Sequence, residues 1–373
     1  MIKLYWESFM DKIIKNILKK IENEGYEAYI VGGFVRDLLL NNPTCDVDIC
    51  TNALPKTLKE IFKLNQTSNG YGGFNIKHKK YTIDITTYRK EKKYSNRHPV
   101  EVEYINNLFE DIKRRDFTIN SLCMDKNENI IDLLGAKKDL QNGVIKVIGN
   151  AEEKFKEDPL RMLRAIRFAT ILDFEIDPEA FKAICNNSNL VDTLSSERIK
   201  EELAKILSSK NVHKGLDLLS KTGVDKVIGL SYNKVLFTSD ILGMWAQIDV
   251  KKIRFSKTES ENIAKIRTLV NIGKISNFEL FNYGLYLCLV ASQIINVDFQ
   301  IVNKIYKNLP IKSMADIDIK GDEIMKLLKI EPSKKVSEII TDIKIEILNG
   351  RLKNRKHDIK KYVYRKWKNE YGQ

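Results

Sequence analysis

Two aspartates separated by one residue, Asp46 and Asp48, are the side chains of this sequence best suited to chemistry. They lie in a strand-like run, and alternate residues of a strand point to one face. Both carboxylates should therefore share a face, with their Cα atoms about 6.6 Å apart. Carboxylate oxygens at that spacing suit hard divalent cations such as Mg²⁺. The alternative interpretation is a pair of exposed strand carboxylates that bind nothing.

Two glycines and an arginine precede these aspartates. Gly32 and Gly33 predict a turn in which backbone N–H groups can approach a phosphate closely, and Arg36 follows as a candidate phosphate ligand. The combination of a carboxylate pair and a phosphate turn makes a triphosphate site the first hypothesis.

A third carboxylate, Asp84, stands between two isoleucines in an alternating strand, so it should face away from the apolar side. If this strand neighbours that of Asp48, three carboxylates converge. Two cations held there would stabilise the attacking and leaving oxygens of an in-line displacement. Otherwise Asp84 is an exposed strand residue.

The run 114–120 adds Arg115, Asp116 and Asn120 as candidate nucleotide ligands. A guanidinium suits a triphosphate, and a carboxylate or amide suits the hydroxyls of a ribose. The competing interpretation is a helix N-terminus with a charged first turn.

A second polar cluster falls in 157–167, within a helical pattern over roughly 151–172. Pro159 suits an early helical position, and the acidic pair before it suits a helix N-terminus. At 100° per residue its apolar residues occupy a separate face. The polar face holds Glu157, Asp158, Arg161 and Arg164, with Arg167 on its flank. The bland alternative is a solvated helix with internal salt bridges.

Asp158 and Arg161 together offer a hydrogen-bond acceptor beside a donor. Cytosine and adenine each present an amino donor beside a ring-nitrogen acceptor, whereas guanine and uracil present the reverse order. Sites built to bond such groups discriminate by roughly 10⁴-fold. The pair therefore predicts selection of CTP and ATP without a nucleic-acid template.

The first 150 residues mix strands and helices, and only helical patterns follow, so we expect an α/β domain with a mixed sheet and an all-α remainder. The expected domains are 1–150, 151–224, 225–310 and 311–373. Expected strands are 28–31, 46–51, 73–77, 81–88, 101–105, 130–133 and 144–148, with a helix over 108–124 and a mobile polar loop over 89–99.

The net charge is +13, which favours a polyanionic partner, nucleic acid ahead of membrane. The last 23 residues carry nine Lys or Arg against two acidic residues, interleaved with Tyr362, Tyr364 and Trp367. This pattern predicts a surface for phosphate backbones, although a solvated terminal helix has the same composition.

Several classes of protein are not expected. No apolar run reaches the length of a membrane span, and residues 1–7 lack the apolar core of a signal peptide, so a cytoplasmic location is expected. The five cysteines are scattered and predict reduced thiols, not a zinc site. No obligate protein partner is evident.

Together these runs resemble the class II tRNA nucleotidyltransferases, the CCA-adding enzymes, and their bacterial poly(A) polymerase relatives. The resemblance rests on 32–37, 46–48, 114–120 and 157–168 in that order, and on 196–198 at the start of the next helix. It covers about residues 20–210 well and the remainder more loosely.

The resemblance implies a polymerase β-like nucleotidyltransferase head, a neck that selects the base, and a body and basic tail that hold tRNA. It implies Mg²⁺ on Asp46 and Asp48. The incoming nucleotide would meet Gly33, Arg36, Arg115, Asp158, Arg161, Arg164 and Arg167, to which the residue patterns add Gly32, Asp116, Asn120 and Glu157, with Asp84 as a catalytic carboxylate.

The activity so implied is template-independent addition of CCA to tRNA 3′ ends from CTP and ATP, with release of pyrophosphate. A poly(A) polymerase, or an enzyme adding only CC or only the final A, shares this chemistry. In the family, CC-only enzymes lack much of the loop expected at 89–99, so its presence favours full CCA addition. A non-catalytic RNA-binding protein is the alternative from another class, and the intact Asp46 and Asp48 argue against it.

Overall fold

The computed structural model describes residues 10–42, 44–63, 73–95 and 98–371, with 91–101 and 369–371 described by their backbone alone. Residues 1–7, where no signal peptide is expected, lie outside this part. The first elements are α1 (Lys12–Asn23), β1 (Ala28–Val31), α2 (Gly33–Leu39), β2 (Asp46–Thr51), α3 (Pro55–Phe62), β3 (Phe74–His78), β4 (Tyr81–Thr87), β5 (Arg89–Ser95), β6 (His98–Tyr104), α4 (Leu108–Lys113), β7 (Cys123–Met124), β8 (Ile130–Ile131), α5 (Ala136–Asn142) and β9 (Val144–Ile145).

The remainder of the described chain is mostly helical, which confirms the predicted fold class, and it also contains three two-residue strands. Its elements are α6 (Ala151–Glu157), α7 (Leu160–Leu172), β10 (Glu175–Ile176), α8 (Pro178–Asn187), α9 (Ser196–Leu207), α10 (Val212–Lys221), α11 (Val224–Ile228), β11 (Leu230–Ser231), α12 (Ile241–Ala246), β12 (Asp249–Val250), α13 (Lys257–Ile272), α14 (Asn277–Ile294), α15 (Phe299–Lys307), α16 (Gly321–Leu328), α17 (Lys334–Leu348) and α18 (Lys356–Tyr371).

The main sheet is mixed and has six strands in the order β3-β4-β2-β1-β7-β8. Strand β2 lies at its centre, parallel to β4 and antiparallel to β1. Its side chains alternate: Val47 and Ile49 are buried, while Asp46 and Asp48 are exposed on the other face. The predicted sharing of one face by the two aspartates is therefore confirmed.

The described residues divide into two compact units, one ending at Gly229 and the other beginning at Leu230. In the second unit, α16, α17 and α18 enclose a core that includes Ile324, Ile343 and Ile359. Helix α14 of this unit is interrupted at Gly284, whose φ of 77° and ψ of 168° are not helical. Among the described residues, no helix combines the length and the apolar character needed to cross a bilayer.

The prediction of a mobile loop over 89–99 was wrong for the described part of that segment. Strands β5 and β6 pair antiparallel from Arg89 opposite Tyr104 to Ser95 opposite His98, with a register shift around Lys93. Residues 96 and 97 lie outside the described residues. The charged composition favoured the prediction of a loop. Strand pairing depends on backbone hydrogen bonds, however, and charged residues form these as well as apolar ones do.

The prediction of one helix over 108–124 was also wrong. Helix α4 ends at Lys113, a short 3₁₀ turn covers Thr118–Asn120, and β7 follows. The chain leaves the helix because Phe117 forms an isolated bridge with Val147, and the Thr118 N–H donates to the Lys146 carbonyl. Tertiary pairing here overrides the local helical pattern.

The helical pattern over 151–172 forms two helices, and Pro159 lies at the beginning of the second, as expected. Asp158 separates α6 from α7 and has extended backbone angles, φ −144° and ψ 98°. Pro159 follows it, and a residue before proline is disfavoured in the helical region. Asp158 therefore does not belong to the helical face that carries Arg161 and Arg164.

Candidate active site

A cavity of about 790 Å³ in the first unit brings most of the predicted site residues together. This volume lies in the range of small-molecule sites. Of the predicted residues, Asp84 and Glu157 are not in its lining. Those that line it are Gly32, Gly33, Arg36, Asp46, Asp48, Arg115, Asp116, Asn120, Asp158, Arg161, Arg164 and Arg167.

Parallel pairing of β2 and β4 brings the third carboxylate beside the other two. Asp48 lies directly opposite Asp84 in the register. One Asp84 oxygen accepts a hydrogen bond from the Asn75 side-chain amide at 2.9 Å. Asp84 is thus a neighbour of the aspartate pair, held by its own partner on β3.

The surroundings of Asp48 disfavour the ionised form of its carboxyl. Desolvation of the carboxylate by the surrounding protein raises the pKa of Asp48, Arg115 opposes this rise, and the nearby Asp84 and Asp46 add to it. No group of three His, Cys, Asp or Glu side chains in the described part of the chain is arranged to hold a metal ion. A pair of carboxylates fits Mg²⁺, which commonly takes one or two protein carboxylates and completes its shell with phosphate oxygens and water.

Gly32 precedes α2 and lies against the aspartates. Its φ of 82° and ψ of −135° are rare for any residue with a side chain. A Cβ atom there would lie 3.4 Å from Asp48 Oδ2 and 3.7 Å from an Arg115 nitrogen. These are ordinary van der Waals distances, so the backbone conformation, and not a lack of space, favours glycine at this position. Gly33 then begins α2.

A chain of polar contacts links the glycine turn to α7. Arg36 donates through Nε to Asp37 at 2.8 Å and through a terminal nitrogen to the Asn120 side-chain oxygen at 2.6 Å. Asn120 donates to Asp116 at 3.1 Å, and Arg164 Nε donates to Asp116 at 2.7 Å. In this structure Asp116 and Asn120 hold arginines, whereas the sequence predicted that they bind sugar hydroxyls.

Burial acts to raise the pKa of Asp116, but Arg164 and the hydrogen bond from Asn120 outweigh it. The pKa of this carboxyl is therefore held below its usual range. Asp116 is ionised at neutral pH and anchors Arg164 through charge-assisted hydrogen bonds.

Arg115 is held in position by Asp111, a residue that the sequence analysis did not identify. Asp111 on α4 is fully buried and accepts from Arg115 at 3.3 Å, from Arg114 Nε at 2.8 Å and from the Arg89 N–H at 3.1 Å. One carboxylate therefore holds two adjacent arginines on the cavity wall.

The predicted base-reading pair, Asp158 and Arg161, does not come from one face of a single helix. The Asp158 carboxylate accepts from the Leu160 N–H at 3.1 Å, at the beginning of α7. Arg161 donates to Glu157 at 3.0 Å and to the Lys154 carbonyl at 3.1 Å. Asp158 and Arg161 still line one cavity, because the break between α6 and α7 places Asp158 there. The Glu157 carboxylate, which is not in the lining, accepts from Arg161 and holds it in place.

Helix α9 supplies a wall that the sequence analysis missed, although 196–198 was noted as resembling the family. Its four cavity residues recur at i, i+3, i+4 and i+7, which is one helical face. This spacing was the available signal. The residues are Arg198, Glu201, Glu202 and Lys205.

Glu202 and Arg167 form a buried ion pair at 2.9 Å, with each residue less than a tenth exposed. Burial lowers the pKa of Arg167 to about 10, with Glu202 opposing and Arg164 and Arg36 adding to the decrease. Glu202 Oε2 and Arg167 Nε are buried with no hydrogen-bond partner among the described residues. Such incompletely satisfied buried pairs are costly, and they concentrate at functional sites.

Comparisons with known proteins give one family for both units. A model described as "Poly A polymerase head domain" matches residues 28–146, "Probable RNA and SrmB- binding site of polymerase A" matches 173–228, and "tRNA nucleotidyltransferase domain 2 putative" matches 236–363. These matches together extend over most of the described chain.

Curated relatives match nearly end to end. The CCA-adding enzyme of Ligilactobacillus salivarius is 36% identical over 375 residues, covering 91% of this chain and 93% of that protein. The CCA-adding enzyme of Staphylococcus haemolyticus is 32% identical over 388 residues, covering 94% and 96%.

Among solved structures, the Bacillus stearothermophilus CCA-adding enzyme in complex with CTP matches with a TM-score of 0.83 and 26% identity, over 97% of this chain and 99% of that one. The Thermotoga maritima CCA-adding enzyme complexed with tRNA shares the fold, with a TM-score of 0.66 and 21% identity over 96% of each chain. At this identity and coverage, the chain belongs to the CCA-adding enzyme family of tRNA nucleotidyltransferases.

Proposed function

We propose that this chain adds CCA to the 3′ ends of tRNA without a template, drawing CTP and ATP into the cavity of the first unit. The observation that carries the proposal is the meeting, in one cavity, of the β2 aspartates, the glycine turn and the arginines of α2, of the turn after α4 and of α7. A curated relative with 36% identity bears the name of this activity.

Within this proposal Asp46 and Asp48 hold Mg²⁺, the specific ion that we assign to a family using divalent metals. When bound, the metal would activate the 3′ hydroxyl and neutralise charge on the departing pyrophosphate. Arg36, Arg115 and Arg164 bind the triphosphate, and Gly32 allows its close approach. Asp84, opposite Asp48 on the adjoining strand, adds a third carboxylate charge beside this pair.

The assignment of a separate role to each domain is also a proposal. Residues 1–150 would carry catalysis, 151–224 base selection, 225–310 the body, and 311–373 the surface for tRNA. The ends of the matched family models, at 146, 173, 228 and 236, lie near the proposed boundaries at 150 and 224. The proposed boundary at 310 lies inside the model that matches 236–363 and has no such support.

Base selection is predicted to depend on the order of acceptor and donor at Asp158 and Arg161. Changing Asp158→Asn together with Arg161→Gln supplies amides that can bond in either order. We expect discrimination of CTP over UTP, on the order of 10⁴-fold in the unaltered enzyme, to fall by about 10²-fold or more. Competition between labelled CTP and UTP on one tRNA measures this ratio.

Glu157→Gln is the matched control for this variant. It weakens the support of Arg161 without altering the base-reading atoms. The KM of this variant should rise in parallel for CTP and ATP, while the ratio of CTP incorporation to UTP incorporation stays constant. Unchanged discrimination in the double variant would disprove the base-reading role.

The tail is predicted to bind the tRNA backbone. A cavity of about 740 Å³ at the start of α18 is lined mainly by cations, with one acidic residue, Asp358. Lys361 and Arg365 are exposed there, one helical turn apart. Replacing both with alanine should raise KM for tRNA and lower the slope of log affinity against log salt by about 1.5 to 2.

The same variant should leave KM for CTP unchanged, because both cations lie in the second unit and the CTP cavity is in the first. Lys56→Ala with Lys59→Ala removes the same charge from two exposed positions one helical turn apart on α3, in the first unit and outside the segments proposed to hold tRNA, and serves as the control. A salt slope that falls equally in the control would mean that net charge alone accounts for the binding.

The proposed function is tested by incubating the chain with Mg²⁺, labelled CTP or ATP, and tRNAs that end before, within or after CCA. We expect two C additions followed by one A, and then no further product. Long A tracts would indicate a poly(A) polymerase, and C or A alone a partial enzyme. No incorporation, with tRNA binding retained, would indicate an RNA-binding protein.

A further inference from the structure

Three arginines of the cavity converge on a single aromatic ring. The guanidinium carbons of Arg167, Arg36 and Arg164 lie 4.2, 5.0 and 5.4 Å from the centroid of the Phe168 ring. All three distances are within the range of a cation–π interaction. The ring itself is 93% buried, lines the cavity, and packs edge-on against Phe117.

Carboxylates hold these arginines individually. Arg36 pairs with Asp37 on α2, Arg164 with Asp116 in the turn after α4, and Arg167 with Glu202 on α9. The three acids stand on separate elements. Among the contacts of the described residues, the Phe168 ring is the one group that all three guanidiniums share.

Three like charges so close together repel one another, which is visible in the effect of Arg164 and Arg36 on Arg167. Three carboxylates already balance the three guanidiniums, and a fourth one shared between them would leave the group with a net negative charge that repels an anionic ligand. The face of an aromatic ring attracts cations through its quadrupole, carries no net charge and offers no acceptor oxygen.

We propose that Phe168 is a positioning residue whose ring gathers Arg36, Arg164 and Arg167 into one preorganised cluster for the polyphosphate of the incoming nucleotide. The inference rests on the proposed function of the cavity, because it takes a nucleoside triphosphate as the ligand. Preorganised cations bind without losing further side-chain freedom, so the ring should act on nucleotide affinity more than on the chemical step.

The test separates the electrostatics of the ring from its volume. Phenylalanines carrying one, two or three fluorine atoms are placed at position 168 of the full chain. Each fluorine weakens the negative face of the ring and changes its volume little. We expect KM for both CTP and ATP to rise stepwise, by about tenfold across the series, with kcat and thermal stability nearly unchanged.

Two controls accompany the series. The same amino acids at Phe155, which is fully buried and does not line the cavity, should leave KM unchanged. Phe168→Leu keeps an apolar side chain but removes the ring face, and its KM should match or exceed that of the trifluoro variant.

A KM that stays flat across the series, or that rises only where the melting temperature falls, would overturn the inference and leave Phe168 as a packing residue. That outcome is distinct from failure of the proposed function. If only the inference about Phe168 fails, the unaltered chain still incorporates CTP and ATP. If the proposed function fails, the unaltered chain incorporates neither.

Discussion

Replacing Asp48 with asparagine is expected to lower the rate of nucleotide addition by about 10³-fold or more. A metal-binding carboxylate supplies several kcal/mol of transition-state stabilisation, and about 4 kcal/mol corresponds to 10³ in rate. Asparagine keeps the size of the side chain and removes one of the two charges that we assign to metal binding. Single-turnover addition of labelled CTP to a tRNA lacking CCA measures the loss.

The same substitution is expected to stabilise the metal-free protein. Because the pKa of Asp48 is raised in the fold, its ionised form is less stable there than in the unfolded chain. Asp48→Asn removes that penalty, so the melting temperature should rise at neutral pH. The gain should disappear at a pH below the ordinary pKa of aspartate, where the carboxyl is neutral in both states.

Asp84→Asn is the informative comparison. Asp84 lies beside Asp48 in the register but accepts from Asn75 and does not line the cavity. Its loss should reduce the rate much less than the loss of Asp48. An Asp48 variant that is both fully active and unchanged in melting temperature would disprove the assignment of the aspartates.

The second large effect is expected at Asp111. Asp111→Asn removes the charge that holds Arg114 and Arg115 and turns an amide donor toward them. Breaking a buried ion pair on one side costs about 3–5 kcal/mol. We expect a loss of this size in the free energy of unfolding, measured with urea, and an increase in KM for both CTP and ATP as Arg115 loses its anchor.

Glu110→Gln, one residue away on α4, is the matched control. Glu110 is half-buried, and its carboxylate pairs with the partly exposed Lys113 at 2.8 Å on the surface. Surface pairs of this kind contribute little, so stability and KM should both stay close to those of the unaltered protein. Equal losses in the two variants would show that α4 tolerates no charge change, and would remove the special role of Asp111.

The sequence predicted the aspartate pair because strand alternation is a local property. Asp46 and Asp48 share a face in any strand that buries Val47 and Ile49. Sequence could not show that Asp84 lies opposite Asp48, since parallel register depends on how β2 and β4 dock across the sheet.

The helical wheel failed at Asp158 for a similar reason. It assumed one continuous helix, whereas the extended backbone before Pro159 ends α6 and lets the Asp158 carboxylate reach the Leu160 N–H. The cavity face of α9 was also missed. By residue type, nothing in the sequence distinguishes Glu202 and Lys205 from surface charges, and the packing of α9 against α7 is what places them in the cavity lining.

By itself, the sequence determined which chemistry this protein can perform. The types and spacing of the aspartates, the glycine turn and the arginines specify a metal-dependent nucleotidyl transfer. The tertiary structure alone decided how those groups are held: Asp111 beneath Arg115, Glu157 behind Arg161, and the Phe168 ring shared by three guanidiniums. The reason is physical, because ligand types are properties of single residues, whereas support comes from residues brought together only when α2, α4, α7 and α9 pack around one cavity.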